Sequence, residues 1–187
     1  IRQAIRFGVA RGLFSNEAGM GSTPHAHARA KAKCPDDQGL CAMVSVFIDT
    51  FVVWNFTVFV ILTSGIYGQL DPATQKPLYT GIALTQRAFV AGFGNFGHFF
   101  VAICLFFFAF STVLGWHFFG AVNVQYLFGK KAVTLYSLIV VACIIVGTTL
   151  KVELVWDMAD FFNGLMVIPN VLALLALFRV VKEHVKK

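Results

Sequence analysis

The chain has 187 residues, 58% of them hydrophobic and 13% charged, with a mean hydropathy of +0.75. A water-soluble domain carries about a quarter charged residues, and 21 phenylalanines would overfill its core, so the composition excludes a soluble globular protein. The net charge of +6 does not indicate a nucleic-acid partner, because the basic residues lie at the ends of long apolar runs rather than on one face. The composition instead indicates a protein whose surroundings are the lipid bilayer.

The N-terminal segment, residues 8–24, has the sequence GVARGLFSNEAGMGSTP. Asn16, Glu17 and several glycines, among them Gly19 and Gly21, interrupt an otherwise moderately apolar stretch. Backbone of this kind is tolerated at membrane depth only where it packs within protein or lines a cavity. The alternative is an ordinary cytoplasmic loop with turn glycines, and the residues alone leave both interpretations open.

Four apolar stretches follow that are long enough to cross a bilayer, which takes about 20 helical residues. We expect helices rather than strands, because lipid offers no partner to a strand edge and the alternating pattern of a barrel strand is absent. The prediction is an all-α membrane protein with one transmembrane domain over residues 1–187. Its spans cover about residues 39–66, 88–119, 132–150 and 154–178.

The basic residues are divided unequally among the connectors. Twelve of the 15 lysines and arginines fall in residues 1–36, in the turn at 129–131 and in the C-terminal tail. The other three are Lys76, Arg87 and Lys151. Since basic connectors stay in the cytoplasm, the N-terminal segment and the C-terminus are both predicted to be cytoplasmic.

Asp49 is interpreted as the only acidic residue within the core of a span, and it lies near the middle of the first one. A carboxylate at mid-membrane is costly, so it usually faces the bundle interior and either has a partner or carries a proton. The functional hypothesis is a role in coupling or gating. The alternative is a structural hydrogen bond, for example to the segment that contains Asn16 and Glu17.

In the second span, Ser111 and Thr112 lie side by side in a phenylalanine-rich helix centre. A hard cation needs several oxygen ligands, and two hydroxyls with a backbone carbonyl one turn earlier supply three of them from one helix. The alternative is that both hydroxyls bond carbonyls of their own helix. Trp116 shares their helix face about one turn later, where it either closes a cavity or packs against neighbouring helices.

Residues 11–31, RGLFSNEAGMGSTPHAHARAK, and residues 38–65, QGLCAMVSVFIDTFVVWNFTVFVILTSG, resemble the signature region of the alanine/glycine:cation symporter family. In outline the resemblance covers essentially the whole chain. It implies an inner-membrane protein of a bacterium or archaeon that takes up alanine or glycine with sodium as coupling ion and without a cofactor. The family is similar in fold to the amino-acid/polyamine/cation transporters, whose ten core helices form two inverted repeats of five.

The resemblance also implies what each segment is. The chain would hold the end of the broken sixth core helix and helices seven to ten, and would need the N-terminal half of the same protein as its partner. Ser111 and Thr112 match the paired hydroxyls of the superfamily's sodium site, and Phe108 matches its carbonyl donor. Trp116 would border the substrate. Because the chain begins with Ile1 rather than Met, we expect a fragment without its N-terminal part.

Two other classes of function remain as alternatives at this stage. A non-catalytic or channel-forming subunit of a membrane complex would also contain four spans with one polar helix face. An intramembrane enzyme would need a nucleophile–base pair or a metal cluster, and no such constellation stands out. His25, His27 and Cys34 lack the ligand spacing of a zinc site, so no metal other than sodium is expected.

Overall fold

A computed structural model describes residues 2–185, with side chains described as far as residue 183. The predicted all-α membrane fold is confirmed, because four helical stretches, Pro35–Thr63, Phe96–Phe128, Lys130–Gly147 and Val152–Glu183, are long and apolar enough to cross a membrane. Within the described residues the one β pairing is an isolated bridge between Leu70 and Pro77. The helices are α1 Arg2–Ser15, α2 Pro24–His27, α3 Pro35–Phe47, α4 Trp54–Thr63, α5 Gly81–Phe93, α6 Phe96–Phe128, α7 Lys130–Gly147 and α8 Val152–Val185, with a π-helical segment, Ile48–Val53, between α3 and α4.

The chain divides into two compact units. The first, called here the terminal unit, combines the N-terminal residues up to Lys33 with the chain from Trp116 onward. The second, called the central unit, is Cys34–Gly115. The terminal unit therefore holds α1, α2, the end of α6, α7 and α8, and the central unit holds α3 to α5 with the beginning of α6.

The first span of the central unit starts at Pro35, which suits a first helical position because its missing N–H would have no partner there. Asp36 and Asp37 in the first turn favour this start, since negative charge is stabilised at a helix N-terminus. Midway, the helix widens into the π-helical segment, where the N–H of Trp54 bonds the carbonyl of Asp49 five residues earlier. Single π turns of this kind occur frequently at functional sites.

The stretch that was expected to form one span over about 88–119 is divided in the structure. Helix α5 ends at Phe93, Gly94 adopts φ +60, and α6 begins at Phe96. Positive φ is available to glycine at little cost, so the chain can turn at Gly94, which Asn95 follows. A Cβ on Gly97 would lie 2.7 Å from the Phe89 carbonyl carbon, so the return of α6 onto α5 also requires a glycine.

Helices α6 and α7 form a hairpin in the terminal unit, turning at Gly129 with φ +81. The Nε2 atom of His117 lies 2.9 Å from the Ser137 hydroxyl, and the His117 ring stacks on Tyr136 at 5.5 Å. Gly120 lies directly below the Tyr136 hydroxyl, where a Cβ would find no space. These contacts join two neighbouring spans through polar groups.

Buried side chains are few. Among the described residues, only Met20, Ser22, Ala88, Gly97 and Val101 are buried. Large apolar side chains instead cover the helix surfaces, and Phe99 is 68% exposed. Contiguous apolar surface of this extent is rare on soluble proteins and marks contact with lipid or with further helices. The chain is a multi-pass membrane protein.

Candidate functional site

The segment that follows α1 folds into a tight turn with three left-handed residues. Glu17 has φ +49, Gly19 φ +78 and Gly21 φ +75. The positive φ of Glu17 is uncommon for a residue with a side chain, and such strain persists only where surrounding contacts hold it. Here the Ser22 hydroxyl donates to the Glu17 carboxylate, and Ser22 is only 1% exposed. The turn is therefore closed by its own polar contact.

The end of α1 is fixed to the first half of α8. Arg11 donates from both terminal nitrogens to the two carboxylate oxygens of Asp160, at 2.9 and 3.1 Å. The same guanidinium lies 4.3 Å from the ring centre of Trp156, and Phe14 meets that ring edge-on at 5.3 Å. A two-pronged ion pair combined with an aromatic face gives Arg11 one defined orientation.

A second contact joins the turn to α8 ten residues further along that helix. The Asn170 Nδ2 donates to the Gly19 carbonyl at 2.8 Å, across 151 residues of sequence. Since ten helical residues span about 15 Å, the chain from Arg11 to Gly19 follows α8 in the same direction for about that distance. Arg11 therefore lies beside the first half of the last span rather than at the end that bears the C-terminal tail.

On its other side the segment contacts α6. Asn123 Nδ2 donates to the Phe119 carbonyl at 2.8 Å and lies 3.1 Å from His25 Nε2. Because an amide nitrogen can only donate, Nε2 accepts, and Nδ1 carries the hydrogen that it donates to the Ser22 carbonyl at 2.9 Å. Both ring nitrogens are thus used in hydrogen bonds, and the described residues contain no cluster of three or more metal-ligating side chains.

The candidate ion ligands lie on α6 in the central unit. The Ser111 hydroxyl donates to the Phe108 carbonyl at 3.1 Å, which brings together two of the three predicted oxygen donors. The same bond is also the geometry of the alternative, a hydroxyl that satisfies its own helix. Thr112 is the next residue along the helix and is exposed, as Ser111 is. The two interpretations of this pair both remain predictions.

Trp116 belongs to the terminal unit and meets Phe119 edge-on, with the ring centres 6.0 Å apart. Phe119 in turn lies 6.3 Å from His25. The predicted substrate-side tryptophan is therefore part of an aromatic row. The row ends at His25, which lies beside the turn formed by residues 16–23, called here the Glu17 turn. Its proposed role stays a prediction.

Asp49 lies in the π-helical segment of the first span and is partly buried. Next to it on the helix, the Asn55 side chain donates to the Phe51 carbonyl at 2.9 Å and Thr57 donates to the Val53 carbonyl at 3.1 Å. The polar residues after Asp49 thus bond their own helix. A widened turn at a membrane carboxylate is the local feature that singles out this position.

Several contact residues were missed by sequence reasoning. The description of Asp49 as the only acidic residue in a span core was wrong, because Asp157 and Asp160 both lie within the predicted span 154–178. Asn170 lies in the same span, directly after the in-helix Pro169. Polar residues inside a span mark functional positions by default, so this signal was present for Asp160 and Asn170. Nothing in the sequence indicated that Arg11 and Gly19 would be their partners.

Comparison with known proteins finds a family that matches the chain. The profile described as the sodium:alanine symporter family matches residues 1–187. The sodium/alanine symporter AgcS of Methanococcus maripaludis is 42% identical over all of this chain and 40% of its own length. The probable sodium/glutamine symporter GlnT of Bacillus subtilis is also 42% identical, over 98% of this chain and 37% of its own length. A sodium/proton-dependent alanine carrier of Bacillus sp. (strain PS3) is 35% identical over 94% of this chain and 42% of its own length. The chain thus spans about two fifths of these relatives.

Proposed function

Because the chain belongs to the sodium:alanine symporter family, we propose that it forms part of a transporter that moves a small neutral amino acid, alanine or glycine, into the cell together with sodium. The family consists of transporters rather than enzymes. Support for the substrate comes from the relatives named for alanine, while the relative named for glutamine widens the range of amino acids to be tested. Transport is proposed for the assembled protein, since the chain covers only 40% of the alanine symporter's length.

The proposed sodium site consists of the Ser111 and Thr112 hydroxyls and the Phe108 carbonyl. The observation that supports it most directly is the 3.1 Å separation of the Ser111 hydroxyl and the Phe108 carbonyl, which lets one cation contact both oxygens. When the hydroxyl hydrogen rotates away from the carbonyl, the Ser111 hydroxyl oxygen and the Phe108 carbonyl oxygen can each direct a lone pair at the ion. Further ligands come from helices outside this chain, as expected for a hard cation with six or more oxygen neighbours.

Trp116 is proposed to close the substrate cavity and to restrict it to a small side chain. Its edge-on contact with Phe119 supports this role, because it limits the rotation of the indole. Substrate and sodium would bind near the bilayer centre between inverted repeats, and alternating access would carry both across. Each ligand then raises the affinity of the other, because the coupling between two sites is reciprocal.

The Glu17 turn and Asp49 are proposed to act in coupling. Asn16, Glu17, Gly19 and Gly21 form the break after α1, where Asn16 bonds the Gly12 carbonyl at 3.1 Å. Asp49 would carry a proton or shape the widened helix, and the relative named for sodium or protons makes proton coupling worth testing. The alternative for Asp49 is a purely structural hydrogen bond.

The proposed location is the cytoplasmic membrane of a bacterium, with the turn at 129–131 and the C-terminus inside. The contact between Arg11 and Asp160 places Arg11 beside the last span, so Arg2, Arg6 and Arg11 no longer support a cytoplasmic position for the whole N-terminal segment. Nine basic residues of the larger group remain. They still outnumber the basic residues on the other side of the membrane, even if these three arginines are counted there. The orientation of the four spans is unchanged.

The test is sodium-stimulated uptake of radiolabelled alanine by the full-length transporter in membrane vesicles. We expect saturable uptake that needs sodium, and the double substitution Ser111→Ala and Thr112→Ala should abolish the sodium dependence. A matched control is Ser45→Ala with Thr57→Ala, which removes two hydroxyls that bond their own helix elsewhere in the central unit. Unchanged sodium activation in the first variant would remove the ion site.

Vesicles that hold only residues 1–187 provide a second test. We expect no sodium-dependent uptake from them, because the chain covers about two fifths of the relatives and supplies one part of a shared site. Uptake by this chain alone would contradict the need for the remaining helices. A non-saturable, sodium-independent flux from the full-length protein would favour a channel.

A further inference from the structure

We propose that Asn170 is a positioning residue that holds the Glu17 turn, defined as residues 16–23, against α8 in the working transporter. The role rests on the proposed transport function, although the contact itself can be tested without it. The Asn170 amide makes a hydrogen bond to the turn and also occupies the space beside it.

The two contacts of Asn170 act on different glycines. Its Nδ2 donates to the Gly19 carbonyl at 2.8 Å. Its Oδ1 lies so close to Gly21 that a Cβ there would stand 2.6 Å away. A carbonyl without a partner is costly at membrane depth. Because Gly19 is in a left-handed conformation, its carbonyl does not accept the N–H of a following helical turn. Asn170 therefore satisfies the turn and fixes its distance from the helix.

The position of Asn170 on α8 also distinguishes it from other polar residues of that helix. It follows Pro169, which lacks an N–H and so leaves the Leu165 carbonyl without its helical donor. The side chain of Asn163, two turns earlier and also partly buried, makes no hydrogen bond within the described residues. The contact to the turn is thus particular to Asn170 and is not a general property of asparagine on this face.

What Asn170 positions is the contact between Glu17 and Ser22. Ser22 is 1% exposed and Met20, between the two glycines, is 7% exposed. When Asn170 is removed, the left-handed turn loses its partner on α8 and is expected to open, which exposes Met20. The turn contains none of the proposed sodium ligands, so its opening should slow turnover without weakening sodium binding.

The test uses the full-length transporter without its native cysteines, with Met20→Cys as reporter of the turn and Ala88→Cys as reporter of the central unit. Maleimide labelling in membranes should be at least ten-fold faster at the Met20→Cys reporter in Asn170→Ala and in the isosteric Asn170→Asp, and unchanged at the Ala88→Cys reporter. Asn163→Ala is the matched control and should change neither rate. Gly21→Ala should open the turn in the same way, because its Cβ meets Asn170.

Uptake gives the second readout. In Asn170→Ala we expect alanine turnover per transporter to fall at least five-fold while the sodium KM changes less than two-fold. Unchanged labelling at the Met20→Cys reporter in Asn170→Ala, or in Gly21→Ala if the first variant does not fold, would overturn the proposal. If the parent shows no sodium-dependent uptake but labelling responds as described, the transport function fails while the positioning of the turn stands.

Discussion

The two units differ in how far their polar side chains reach, although hydroxyls of both units also bond carbonyls of their own helix. In the terminal unit they join distant segments, since Arg11 reaches Asp160 across 149 residues and Asn123 reaches His25 across 98. In the central unit, Ser45, Thr57 and Ser111 each bond a carbonyl three or four residues earlier on their own helix.

The difference shows what each unit contributes to the fold. In the terminal unit, polar groups hold separate segments of the chain together. These bonds matter because water does not replace a partner that is lost inside the membrane. The central unit is joined by apolar and backbone contacts, such as Gly97 against Phe89. Its hydroxyls at Ser45, Thr57 and Ser111 are satisfied within their own helices and do not hold separate segments together.

The ion pair gives the largest expected effect. Asp160→Asn leaves the charge of Arg11 without its partner beside a membrane span, where an unpaired charge is costly. We expect the full-length protein to lose thermal stability, measured by size-exclusion chromatography after heating. Asp157→Asn, one turn earlier and exposed, is the matched control and should change the midpoint little. Equal effects of the two variants would contradict the role of the ion pair.

Substitution of Gly97 tests whether α5 and α6 of the central unit must approach each other closely. A Cβ at Gly97 meets the Phe89 backbone, which cannot move aside as a side chain can, so Gly97→Ala is expected to destabilise by about 1–3 kcal/mol. Gly115→Ala on the same helix points into open space and should be neutral or slightly stabilising. The same heating assay compares them. A neutral Gly97→Ala would show that α5 and α6 need not approach so closely.

Removal of a single hydroxyl is expected to destabilise the protein more in the terminal unit than in the central unit. Ser137→Ala removes the partner of His117 on a neighbouring helix, and a loss of about 1 kcal/mol is expected. Thr57→Ala removes only a bond to its own helix and should cost less than half as much. The thermal midpoints of the two variants measure the difference. The reverse order would contradict the division between distant and local bonds.

The smallest expected effect lies in the loop after α4. The backbone N–H of Ala73 donates to the Asp71 carboxylate at 2.8 Å, and with the Thr74 side chain it lowers the pKa of Asp71. Because the folded pKa is lowered, this stabilisation is present above the ordinary carboxyl pKa of about 3.9 and is lost as pH falls through the folded value. Hydrogen exchange of residues 69–78 should differ between the parent and Asp71→Ala at neutral pH and converge in acid. A difference in hydrogen exchange that persists in acid would show that the ionised Asp71 carboxylate is not what stabilises the loop.

Much of the fold could be predicted from the sequence, because membrane spans depend on long apolar runs and on little else. The interruption at Gly94 was missed although Gly94 and Asn95 together are a turn signal, because long apolar stretches lie on both sides of them. The candidate site was predictable only in part. Ser111 and Thr112 are proposed from their positions side by side on one helix, and that proposal remains a prediction. Arg11, Asn123 and Asn170 instead have partners about 100 or more residues away, which the sequence does not reveal.

The amino-acid sequence by itself determined the membrane environment, the four helices and the family resemblance, because these follow from composition, length and local motifs. Only the tertiary structure decided that the N-terminal segment follows α8 and that Asn170 and Asp160 are its contacts. The physical reason is that a polar group in a membrane must find a partner, and the sequence shows the need without showing which distant residue meets it.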